Sequence, residues 1–157
     1  MGSRASRSRG QASTGVTCRR GGRATSCSRR LASKTGNRPL VEGIIDSATS
    51  IGHIHLKVSD LARAEAFYRD VFGFEVMARY GAEASFLSAG GYHHHIGLNT
   101  WQSKGGPPSP ARSTGLFHFA ILVPNRLELA RAVKRILDHD VPLDGMADHG
   151  VSEAIYL

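Results

Sequence analysis

Cysteine is scarce in this sequence, and its two copies, Cys18 and Cys27, both fall within the first 41 residues, a stretch that also contains no Asp or Glu. The rest of the chain is therefore expected to hold no disulfide and no thiolate metal site. The spacing of the pair fits no zinc pattern. Long apolar runs are missing too. None approaches the roughly 18 residues needed to span a bilayer, and there is no secretory core segment, which points to a cytoplasmic domain with no membrane role. A chain of 157 residues has room for one ordinary domain or two small, tightly joined modules.

The formal charge of +7 and a pI near 10 would suggest a nucleic-acid binder if the charge were spread over the chain. It is not. Residues 1–41 hold ten of the twenty Lys and Arg, and from Glu42 onward ten basic residues face thirteen acidic ones, a net of −3. No specific nucleic-acid partner is expected. The segment "MGSRASRSRGQASTGVTCRRGGRATSCSRRLASKTGNRPL" is rich in Ser, Arg and Gly. Without apolar periodicity it buries too little surface to offset the entropy of ordering, so residues 1–48 read as a disordered tail. Its composition approaches that of a transit peptide but lacks the amphipathic spacing of one, and the plainer expectation is a segment upstream of the true start.

At Ile51 the pattern changes. "IGHIHLKVSDLARAEAFYRDVFGFEV" offers an alternating strand, an N-cap at Asp60 and a helix with apolar positions Leu61, Ala64, Phe67, Tyr68, Val71 and Phe72, closed by Gly73. Sixty-five residues later "GLFHFAILVPNRLELARAVKRILDHDV" repeats the plan without a gap. His118 stands under His53, Asn125 under Asp60, and Leu129, Ala132, Val133, Ile136 and Leu137 under Ala64, Phe67, Tyr68, Val71 and Phe72. Three more strand-like runs, 74–80, 83–88 and 92–101, follow the first helix and are separated by Gly turns. The first module, residues 49–104, is thus βαβββ. A Pro- and Gly-rich linker opens the second, residues 105–157, whose text stops one strand early. The fold class is α+β: two βαβββ modules forming a cupped mixed sheet, the second lacking its last strand.

Side chains alternate along a strand, so Ile54, Leu56 and Val58 share one face while His53 and His55 share the other. Phe119, Ile121 and Val123 likewise oppose His118. If each apolar face packs on its own helix, both His53 and His118 project from the concave side. "GGYHHHIGLNTW" then sets three more histidines at the start of the last strand of the first module.

These residues resemble the vicinal oxygen chelate superfamily, in its branch similar to catechol 2,3-dioxygenases. The likeness rests on the paired modules, on "HIHLKVSDLARAEAFYRDVFGFEV" and on "YHHHIGLNTW" with "DHGVSEAIYL". It runs from about Ile51 to Leu157. The resemblance implies Fe(II), or Mn(II), on two His and one Glu, with a small aromatic diol and dioxygen as the reactants. It places metal ligands at His53 and His118, the acid/base histidine at His94 and substrate-contacting groups at Tyr156 and His149, with Trp101 near the mouth. A homo-oligomer is compatible with it.

Strand phase qualifies one assignment. In a strand regular from its first residue, His93 or His95 would face the concavity and His94 would not, whereas a bulge after "AGG" would reverse this. His94 therefore stands first and His95 second. The family's third ligand, a Glu on the last strand of the second module, lies beyond Leu157. Glu153 alternates with Tyr156 and so is expected on the opposite face. The expectation is a truncated dioxygenase-like chain with little activity as it stands. A glyoxalase-type isomerase or lyase, which needs an acid on the strand reading "HHHIGLN", and a nonenzymatic ligand-binding member of the fold are the alternatives.

Overall fold

The computed structural model describes residues 13–19, 43–110 and 112–157. In chain order the elements are β1 (Ser13–Arg19), β2 (Ile54–Lys57), α1 (Leu61–Ala66), which runs on into a π-helical turn over Phe67–Val71, β3 (Glu75–Tyr80), β4 (Ala84–Ser88) and β5 (Ile96–Asn99). They continue with β6 (His118–Val123), α2 (Arg126–Asp138), β7 (Gly145–Asp148) and β8 (Ser152–Tyr156). Among the described residues no helix is long and apolar enough to cross a membrane.

The strands form two mixed four-stranded sheets, ordered β2-β5-β4-β3 and β6-β1-β8-β7. The first is the expected βαβββ module: β2 pairs in parallel with β5, and β5, β4 and β3 pair antiparallel. Residues 105–157 supply only three strands to the second sheet, as the sequence indicated. Its remaining place is taken by β1, parallel to β6 and antiparallel to β8.

That placement corrects the reading of residues 1–48 as a wholly disordered tail. Ser13–Arg19 is a central strand, with Val16 only 1% exposed and Cys18 fully buried, so the folded body does contain a thiol. The physical reason is local: within the Arg-rich segment, "STGVTC" has β-branched residues at 14, 16 and 17, and its alternate members Thr14, Val16 and Cys18 all turn inward. Averaging over 41 residues hides a pattern of six. Residues 43–50 are exposed and form neither helix nor strand, and the rest of that expectation lies outside the described residues.

The helix caps are where the sequence put them. Asp60 accepts from the Arg63 amide at 3.0 Å and Asn125 from the Glu128 amide at 3.0 Å, each satisfying an orphan donor of the first turn. The apolar faces of β2 and β6 pack on one core with Tyr68, Phe72, Leu87, Ile96, Leu98, Leu129 and Ile136, each buried chain of this size contributing about 1.5–3 kcal/mol. Leu137 is the exception, 56% exposed although it repeats Phe72, which is 7% exposed. The π-helical turn widens the first helix by one residue and swings Phe72 inward, while α2 stays regular and leaves Leu137 outside.

Beyond this shared core, polar and ring contacts join the modules. The Arg135 guanidinium donates to the carbonyls of Val71 at 3.3 Å and Phe72 at 3.2 Å, capping the C-terminus of the first helix where Gly73 takes the left-handed turn (φ +79°). Tyr68 packs its ring 6.4 Å from that of Phe119, with its hydroxyl 3.3 Å from Thr14 Oγ1. Within the first module, the carboxylate of buried Glu65 takes two bonds from Arg79, at 2.7 and 2.9 Å, and one from Ser85 Oγ at 2.7 Å, tying α1 to β3 and β4.

Arg79 holds the Glu65 carboxyl below its ordinary value of 4.5 against the opposing effect of burial. Its stabilisation is therefore complete above pH 4.5 and is lost as pH falls through the lower folded value. Glu65→Gln should lower stability at neutral pH by about 1–3 kcal/mol in denaturant titrations, and the variant should lose less further stability on acidification than the parent does.

Candidate metal centre

Parallel pairing builds the site. Ile54 stands opposite Ile96, so the N-terminal ends of β2 and β5 lie side by side, and the Ile54 amide donates to the His95 carbonyl at 3.0 Å. Whatever precedes both strands must meet there. His53 precedes one and the histidine triplet the other. The chain enters the triplet through Gly90 and Gly91, whose φ values of +70° and +79° are open to glycine at little cost.

His53, His93 and His94 converge so that one ring nitrogen from each lies within 4.8 Å of the others. The His53 ring centroid is 4.5 Å from that of His94 and 6.1 Å from that of His93, and the latter two are 4.6 Å apart. His53 and His93 are exposed and His94 half-buried. Burial first, then the like charges of His53, His93, His55 and His95, hold the His94 imidazole below its ordinary value of 6.5, which favours the neutral, metal-competent ring. Nitrogens bound to one first-row ion at about 2.0–2.1 Å stand roughly 3–3.5 Å apart, so a pair at the 4.8 Å limit must close by roughly 1.3–1.8 Å to hold one. The donor set suits a divalent transition metal. It contains no carboxylate.

The triplet lies before the regular part of β5, so the strand-phase question does not apply to it as posed: His93 and His94 both reach the cluster. His93 is the member to which the sequence assigned no role of its own. The His95 ring does not join them. Its Nδ1 accepts from the Ala89 amide at 3.3 Å and lies 3.0 Å from Ser88 Oγ.

Beside the cluster runs an aromatic shelf. Phe86 lies 5.1 Å from His94 and 5.9 Å from His55, which in turn lies 5.5 Å from Trp101 (centroid distances). The His55 ring lies over the glycine at residue 97: a Cβ there would stand 3.0 Å from the imidazole, which would have to give by a few tenths of an ångström. Sequence alone did not indicate Phe86 or the seat at Gly97, because cross-strand register, not spacing along the chain, brings them together.

His118 is not a member of this group. Its ring neighbours are Phe117 at 5.5 Å and Tyr156 at 6.1 Å, on the second sheet, and Tyr156 Oη lies 3.2 Å from His149 Nε2. Among the described residues, the group able to hold an ion is His53 with His93 and His94, while the contacts of His118 run to Phe117 and Tyr156. Glu153 points away from Tyr156, as its parity required. Its carboxylate accepts from Arg126 Nε at 2.9 Å and lies 4.0 Å from Cys18 Sγ.

Residues 50–157 match the profile of the glyoxalase/bleomycin resistance protein/dioxygenase superfamily. Over 108 residues, 61% of this chain, the sequence is 44% identical to a catechol-2,3-dioxygenase of Bacillus subtilis, and the match spans 38% of that protein's length. A lactoylglutathione lyase from Agrobacterium tumefaciens shares the fold, with a TM-score of 0.54 at 24% identity over 71% of this chain and 87% of the other.

Gly97→Ala tests the architecture of the shelf. The added methyl should shift the His55 ring and change the intensity of its nuclear Overhauser contact with Trp101, the chain's single tryptophan. An unchanged contact would show that His55 does not depend on the glycine seat.

Proposed function

The chain belongs to the glyoxalase/bleomycin resistance protein/dioxygenase superfamily, and from that premise we propose that it serves an extradiol, catechol 2,3-dioxygenase-like reaction, the cleavage of an aromatic diol by dioxygen. The observation that carries this reading is the convergence of His53, His93 and His94 at the paired starts of β2 and β5, in a chain so similar to a catechol-2,3-dioxygenase.

In this reading the three rings hold Fe(II), with Mn(II) as the alternative. Three ligands on one side leave adjacent positions open, and a bound divalent ion would there offer diol oxygens and dioxygen a common meeting point. The residues around it do the rest. Phe86, His55 and Trp101 form an angled aromatic wall, with ring planes 72° and 55° apart at its two contacts, whose faces and edges can hold a planar ring and fix its orientation before any bond changes. Tyr156, His149 and His118 are assigned to the substrate from the second sheet, where a phenol and two imidazoles can donate to or accept from diol oxygens. His95, anchored by Ser88 and Ala89, positions the loop that carries His93 and His94.

The resemblance gives His94 the proton-transfer role, whereas its place between His53 and His93 favours ligation. The two roles separate experimentally. A ligand's loss in His94→Gln should weaken Fe(II) binding as much as His53→Gln does, by more than the roughly 10–100-fold that loss of an outer partner costs. A proton carrier's loss would leave binding intact and lower kcat alone.

The test of the reaction is anaerobic loading of the chain with Fe(II), followed by catechol and measured dioxygen. Slow dioxygen uptake matched to diol loss, in keeping with a cluster that contains no carboxylate, and abolished in His53→Gln, is the expected result. Fe(II) bound at saturation with no dioxygen uptake would overturn the proposal. Metal-independent retention of the diol would then favour a binding role.

A further inference from the structure

β1 is a surrogate, residue by residue, for the strand that closes the first sheet. β6 repeats β2, and the ladders set Thr14 opposite Phe119 as Ile96 stands opposite Ile54. Gly15 then falls on Gly97, Val16 on Leu98 and Thr17 on Asn99. The other flank agrees: Gly15 faces Tyr156 on β8 as Gly97 faces Phe86 on β4, an aromatic ring opposite a glycine in each sheet. A Cβ at residue 15 would stand 3.2 Å from the Ile155 carbonyl oxygen and 3.7 Å from the Tyr156 ring.

Yet β1 is held differently from β5. It reaches its slot from far along the chain, with thirty-four residues between Arg19 and Ile54. Its inward side chains are Thr14, Val16 and Cys18, where the equivalent positions of β5 carry the larger Ile96 and Leu98. Without it β6 and β8 would each expose a row of unpaired backbone groups.

We propose that the space between β6 and β8 is a strand-acceptor groove, filled in cis by Ser13–Arg19 and exchangeable for the same segment of a second copy. The occupant it selects is an extended peptide with small or β-branched residues at three alternate inward positions and glycine opposite Tyr156. Backbone bonds on both flanks supply the affinity, and the inward pockets with the glycine seat supply the selection. The long connection lets one chain's β1 reach another's groove, so the exchanged species is a dimer in which each second sheet is completed by its partner.

The experiment uses the full chain carrying Cys27→Ser, so that Cys18 is its sole thiol. A fluorescent peptide covering residues 11–21, with Ser in place of Cys18, is added, and anisotropy is followed together with reaction of the chain's Cys18. Uptake of the peptide with matching exposure of Cys18 is expected. A peptide with Val in place of Gly15 should bind at least about tenfold more weakly, since the overpacked seat must distort. Equal binding of the two peptides would overturn the proposal. So would no uptake together with Cys18 reacting only at the denaturant midpoint of global unfolding.

Discussion

The parallel pairing of a sheet's first strand with the strand beside it governs the molecule. A parallel pair brings two strand beginnings to the same place, however far apart they are in sequence. In the first sheet this joins His53 to a triplet forty residues downstream and so makes a three-histidine group. In the second sheet the same pairing, between β6 and β1, draws a segment from the opposite end of the chain into the core. The metal-competent site and the unusual route of the chain have one geometric cause.

The two sheets use that geometry to different ends. The first gathers imidazoles, and partial burial, followed by repulsion from its neighbours, keeps His94 toward its neutral form. The second places Ser13 opposite His118 and sets a phenol, Tyr156, against His149 and near His118. One half of the repeat can hold a cation, while the other offers hydrogen-bonding groups. The helices close the opposite faces of both sheets on a shared core, stitched by Arg135, Tyr68 and Thr14, and leave the histidine faces open.

Much of this was legible in the sequence because it depends on local periodicity. The two-residue alternation of β2 and β6 put His53 and His118 opposite the apolar faces, Asp60 and Asn125 announced the helices, and parity alone turned Glu153 away from Tyr156. What stayed hidden depends on register between distant strands. The strand within the Arg-rich segment is short enough to vanish in its surroundings. The inward swing of Phe72 over Leu137 follows from a π-helical turn with no spacing signature, and the burial of Glu65 follows from Arg79 and Ser85 arriving from two other strands. The convergence of His93 with His94 required a bend before β5, where regular alternation had allowed one or the other.

The most direct test of the account is the location of a divalent ion on the protein. Zn(II), a diamagnetic probe, would be titrated into the full chain while the ring nitrogens of every histidine are followed by NMR. The account predicts that His53, His93 and His94 respond together and saturate at one equivalent, while His118, His149 and His139 stay unmoved. A response led by His118 and His149, with the His53 group unchanged, would contradict it and move the centre of the chemistry to the second sheet.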